Sequence, residues 1–79
     1  MRVIGEIPHP HCKITLFHCN NRYLIKLEHG LLEQTYKIHE YDVGSEEDLR
    51  KIVSADFLAE AMRGFVLMDH NLHRSMDAV

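Results

Sequence analysis

Alternation of apolar and polar residues is the main pattern in the first half of the chain. Residues 12–19 read CKITLFHC, residues 23–29 read YLIKLEH, and residues 32–41 read LEQTYKIHEY. A period of two is typical of β-strands with one buried and one exposed face. Asn20-Asn21 and Gly30 separate the three segments, and both residue types favour tight turns. The pattern predicts a three-stranded antiparallel meander over residues 12–41.

The segment before the meander has a shorter apolar pattern that ends at two prolines. Val3, Ile4 and Ile7 precede Pro8 and Pro10. Proline fixes φ, removes a backbone donor and pushes the preceding residue towards extended conformations. Residues 1–11 are therefore predicted to form a lead-in arm or a short edge strand.

After residue 44 the period changes to that of a helix. Ser45 is a good N-cap, and the acidic residues 46–48 suit the positive end of a helix dipole. We expect a short helix over residues 46–53, and a longer one from about residue 55 to about residue 73, capped by Ser54 or Asp56. Gly64 lies in the middle of the longer helix and favours either a kink or close packing.

The order of these elements predicts an α+β fold, with the meander followed by a short and a long helix packed on one sheet face. A chain of 79 residues is expected to form a single small domain, residues 1–79, with a helical part at 45–75 whose last few residues fray. The predicted core consists of Tyr23, Ile25, Leu27, Ile38, Leu49, Ile52, Leu58 and Phe65.

Composition and charge argue against some classes of binding partner. The formal charge is −3, and the nine basic residues are scattered, so the basic stripe that nucleic-acid binding requires is missing. No apolar run approaches the roughly 20 residues that span a bilayer. Two cysteines, seven positions apart on one predicted strand, cannot reach each other and suit a reducing compartment. We expect a soluble, cytoplasmic protein that binds neither nucleic acid nor membrane.

The segment His9-Pro10-His11-Cys12 is the strongest candidate for metal chemistry. Imidazole and thiolate are good ligands for zinc or another transition metal, and His9 and His11 could point to the same side of an extended chain. A closed site needs four ligands, but His18 and Cys19 are neighbours on a predicted strand and therefore point to opposite faces of the sheet. We therefore expect no cofactor, and keep a metal-binding or metal-sensing protein that uses His9, His11 and Cys12 as the alternative.

The alternation of side chains between the two faces of a strand also argues against catalysis by a cysteine. Adjacent residues of a strand point to opposite faces, so neither His11-Cys12 nor His18-Cys19 is placed for thiol activation by the neighbouring imidazole. No third orienting residue can be named. The sequence predicts no catalytic residues.

The sheet face away from the helices carries the most informative surface residues. Phe17, Leu24, Leu31 and Tyr41 lack a covering layer in the predicted fold, and an exposed apolar patch often marks an interface. Interleaved lysines are compatible either with a polar-rimmed interface or with protection against aggregation. The sequence therefore predicts a non-catalytic protein-protein interaction module that binds a protein partner or self-associates as a homodimer.

Overall fold

A computed structural model describes all residues, Met1–Val79, as a four-stranded antiparallel sheet followed by two α-helices. The elements are β1 (Arg2–Ile7), β2 (Lys13–Cys19), β3 (Arg22–His29), β4 (Leu32–His39), a 3-10 helix (Glu40–Asp42), α1 (Glu46–Ile52) and α2 (Ala55–Met76). The strands lie in the order β1-β2-β3-β4. The predicted α+β fold is confirmed.

The N-terminal segment adds a strand at the edge of the sheet. β1 pairs antiparallel with β2, and a bulge between Val3 and Gly5 shifts the register. Because β1 lies in the plane of the sheet, it covers neither face. Cys12, predicted to begin the first strand of the meander, lies in the loop before β2.

Two tight turns set the register of the meander. Asn20 and Asn21 both have positive φ, 51° and 62°, as a two-residue type I′ turn requires, and they leave Cys19 opposite Arg22. Gly30 has φ 60° at the first position of the second turn, where a type II′ turn needs glycine. Leu31 completes that turn.

The helices pack on the sheet face that the alternation predicts to be buried. Side chains of β2, β3 and the two α-helices, with two valines of the connecting segments, form a core of nine residues, namely Ile14, Leu16, Ile25, Leu27, Val43, Leu49, Val53, Ala61 and Phe65. Of the predicted core residues, Tyr23, Ile38 and Leu58 are half-buried. The prediction that Ile52 belongs to the core is wrong, because its side chain is 37% exposed. The next residue, Val53, is buried instead, at the point where α1 ends.

Both helices begin at the serines that the sequence offers as caps. Ser45 Oγ accepts a hydrogen bond from the Asp48 N–H (3.1 Å), and Ser54 Oγ accepts one from the Phe57 N–H (3.2 Å). Asp56, the other candidate cap, lies in the first turn of α2. α2 runs to Met76, about one turn beyond its predicted end.

α2 is longer than the sheet that it covers. Its 22 residues span about 33 Å, whereas the eight residues of β4 span about 26 Å. The molecule is correspondingly elongated, with dimensions of 45 × 25 × 18 Å. Neither helix combines the length and the apolar character that crossing a membrane needs.

Candidate interaction site

Two of the four predicted surface residues are neighbours on the sheet face away from the helices, which we call the open face. Phe17 of β2 lies directly opposite Leu24 of β3, and Val3 of β1 lies opposite Phe17 on the other side. Directly opposed residues of an antiparallel pair project to the same face. Phe17 and Leu24 are half-buried and Val3 is exposed. They form a short apolar row across three strands.

The other two predicted residues lie elsewhere. Tyr41 belongs to the 3-10 helix that follows β4 and stacks on His39, with ring centroids 4.9 Å apart. Leu31 is in the turn after β3, roughly 20 Å along the strand from Leu24. The structure therefore brings Phe17, Leu24 and Tyr41 to one end of the sheet and places Leu31 at the opposite end.

The remainder of the open face is polar. The Lys26 ammonium lies between Glu28 (4.0 Å) and Glu33 (3.7 Å), and Lys13 lies 3.8 Å from Glu6. Thr15, in the middle of this region, is buried by its neighbours. These charges restrict the apolar part of the open face to the short row described above.

A second apolar surface occurs where α2 extends past the turn between β3 and β4. An open groove of about 680 Å³ separates the helix from the end of the sheet. We call it the terminal groove; it is lined by His11, His29, Gly30, Leu31, Leu32, Met62, Phe65, Val66, Asp69, Leu72, His73 and Met76.

The terminal groove has a buried floor and an exposed rim. Phe65 at the floor is part of the core, and Leu32 and Met62 pack against it. On the rim, Leu31 is fully exposed, Val66 is 69% exposed and Met76 is 54% exposed. Large apolar side chains thus face water on both sides of one concavity.

Four polar side chains border this apolar surface. His29 Nδ1 donates to the carbonyl oxygen of His11 (2.7 Å), and its ring lies 5.5 Å from that of Phe65. One turn apart on α2, His73 Nδ1 lies 3.2 Å from a carboxylate oxygen of Asp69. The groove therefore carries both an acidic group and basic groups beside its apolar walls.

Sequence reasoning named Leu31 but assigned it to the open face, and it missed the terminal groove. Leu72 and Met76 continue the 3.6-residue apolar spacing of α2, which is typical of core positions. Of these two, the sequence marks only Met76, near the C-terminus, as a candidate for an exposed contact. Length is a partial signal, because a helix that reaches residue 76 is longer than a strand of eight residues, although the sequence does not show where the helix crosses the strands. The stripe then continues where no strand remains beneath it.

The residues of the metal hypothesis are only partly brought together. Cys12 Sγ lies 3.7 Å from His9 Nδ1, and the rings of His9 and His11 are 5.7 Å apart. The same Nδ1 accepts a hydrogen bond from the His11 N–H (3.1 Å), so it is already engaged. No three His, Cys, Asp or Glu side chains are grouped so as to hold a metal ion.

The surroundings of Cys12 do not favour a reactive thiolate. Burial raises the pKa of the Cys12 thiol above its ordinary value, because desolvation disfavours the charged form. Cys12 and Cys19 are both free thiols. Burial therefore keeps the Cys12 thiol protonated at neutral pH, despite its contact with His9.

Comparison of the chain with protein-family models, with curated proteins and with solved structures gave no match. Any function assigned to this protein therefore rests on its own residues and their geometry.

Proposed function

We propose that this protein is a non-catalytic interaction module that acts as a homodimer through the terminal groove. The observation that carries the proposal is the exposure of Leu31, Val66 and Met76 around one concave apolar surface. Apolar area removed from water stabilises a complex by about 25 cal/mol per Å². A partner seated in the groove would cover both of its walls at once.

The terminal groove is a better contact surface than the open face. Phe17 and Leu24 are already half-buried by their neighbours on the sheet, so a partner there would remove less additional apolar surface from water. The lysine-glutamate pairs beside them would also have to be desolvated. Leu31, one of the residues first predicted for the interface, belongs to the favoured surface.

Two adjacent residues of α2 provide a matched test. Val66 and Leu67 are almost equally exposed, at 69% and 70%, but only Val66 lines the groove. We expect Val66→Glu to raise the dimer dissociation constant by at least about tenfold, because burying an unpaired carboxylate costs more than about 1.4 kcal/mol. Leu67→Glu should leave it unchanged. Sedimentation velocity of both variants beside wild type measures the difference.

A third variant distinguishes a dimer contact at the terminal groove from one at the open face. Phe17→Glu places a charge in the apolar row of the open face and leaves the terminal groove intact. Under the proposal it sediments as wild type does. Dissociation of the dimer by Phe17→Glu but not by Val66→Glu would assign the contact to the open face instead.

The alternative, a metal-binding protein, is favoured by one contact, that between His9 Nδ1 and Cys12 Sγ. Thiolate and imidazole together are a good partial ligand set for zinc, and a second subunit could supply the remaining ligands. Metal analysis of the untagged protein tests it. Stoichiometric zinc in wild type that disappears in His11→Ala would support this function, and metal-free protein would dismiss it.

A further inference from the structure

The exposed side of α2 along the terminal groove has a symmetric residue pattern. Val66, Asp69, His73 and Met76 follow one another at intervals of three, four and three residues, so they lie on one face of the helix. All four line the groove. The order along this face is apolar, acidic, basic, apolar.

This pattern is complementary to itself when read in the opposite direction. The midpoint between Val66 and Met76 is position 71, and the midpoint between Asp69 and His73 is the same position. In an isologous pair, residue i of one subunit contacts residue j of the other and j contacts i. An antiparallel pair of α2 helices with its two-fold axis level with residue 71 therefore matches apolar with apolar and acid with base.

We infer that the occupant of the terminal groove is α2 of a second copy, running antiparallel. Val66 then packs against Met76 of the partner subunit, and Asp69 faces His73 of the partner subunit. Within one chain the Asp69 carboxylate already lies 3.2 Å from His73. The second copy places another imidazole beside each carboxylate, so acidic and basic groups alternate around the axis.

The charges also disfavour the parallel arrangement. Two parallel helices in register would place Asp69 beside Asp69 of the partner subunit, and His73 beside His73 of the partner subunit. Two carboxylates placed side by side across an interface reduce its stability, so this orientation is disfavoured. The antiparallel register satisfies both the apolar and the charged positions of this face.

The arrangement rests on the proposed homodimer, and chemical crosslinking tests its register. In a background with Cys12→Ser and Cys19→Ser, Val66→Cys and Met76→Cys chains are prepared separately, mixed, and treated with a short bis-maleimide. Positions 66 and 76 are about 15 Å apart along one helix, so equivalent cysteines of an antiparallel pair lie too far apart to be bridged. We expect covalent dimer from the mixture and none from either variant alone.

Controls keep the outcomes distinct. Leu67→Cys mixed with Met76→Cys should give no covalent dimer, because Leu67 lies outside the groove. If the serine background does not fold, the native cysteines are retained and the crosslinked peptides are identified by mass spectrometry. Two results would overturn the antiparallel register without contradicting the homodimer. One is crosslinking of Val66→Cys to itself, and the other is a dimer in sedimentation that gives no crosslink between positions 66 and 76. A monomer at every concentration would overturn both.

Discussion

At the scale of single residues, Gln34 fixes the position of α2 on the sheet. Its side-chain Nε2 donates to the carbonyl oxygen of Ala61 (2.8 Å), and its Oε1 accepts from the Tyr36 hydroxyl (2.9 Å). A Cβ at Gly64 would lie 3.1 Å from that Nε2, closer than ordinary van der Waals contact. Gly64 therefore serves close packing, which was one of the two roles that the sequence left open.

Gly64→Ala tests this contact in two backgrounds. Alanine is favoured over glycine in a helix by about 1 kcal/mol, but here the gain is opposed by displacement of Gln34. We expect Gly64→Ala to be neutral or destabilising in wild type, and stabilising by about 0.5–1 kcal/mol in a Gln34→Ala background. Urea unfolding of the four proteins gives the coupling free energy, and additive effects would show that the contact is unimportant.

Cys12 gives a second prediction at this scale. Since burial raises the pKa of its thiol, less thiolate is present at neutral pH than in an unperturbed cysteine. Alkylation of Cys12 by iodoacetamide at pH 7 should be no faster than that of a free thiol, and it should accelerate as the pH rises through the raised pKa. Peptide mapping measures the rate, and rapid modification at pH 7 would indicate an activated cysteine.

At the scale of elements, the sequence specifies the strands and the starts of the helices because local chemistry determines both. Alternation defines three of the four strands, Asn20-Asn21 supplies the positive φ values of a tight turn, and the two serines cap the helices. The 3-10 helix Glu40–Asp42 was not predicted. It is fixed by non-local contacts, since the Glu40 N–H donates to the carbonyl oxygen of Asn21, and its carboxylate lies 2.8 Å from His18.

The cap of α2 can be tested by removing one hydroxyl. Ser54→Ala leaves the Phe57 N–H without its side-chain acceptor, and this should lower the free energy of unfolding by about 1 kcal/mol. Ser75→Ala, an exposed change in the last turn of the same helix, serves as the control and should be nearly neutral. Equal effects of the two substitutions in denaturant unfolding would contradict the role assigned to Ser54.

At the scale of the whole molecule, the mismatch in length between α2 and the sheet creates the terminal groove. The apolar period of α2 could be read from the sequence, but the point at which the sheet stops supporting it could not. That point depends on how the helix crosses the strands. Leu31, Val66 and Met76 are consequently exposed together, although the sequence marks only Leu31 and Met76 as candidates for exposed contacts.

Native mass spectrometry of the untagged protein, with and without a chelator, tests the central claim most directly. It reports the number of subunits and any bound metal in one spectrum. A homodimer through the terminal groove predicts a species of twice 9.2 kDa whose mass the chelator does not change. A species of 9.2 kDa at all concentrations would contradict the homodimer. A zinc adduct that the chelator removes would point instead to the segment His9-Pro10-His11-Cys12.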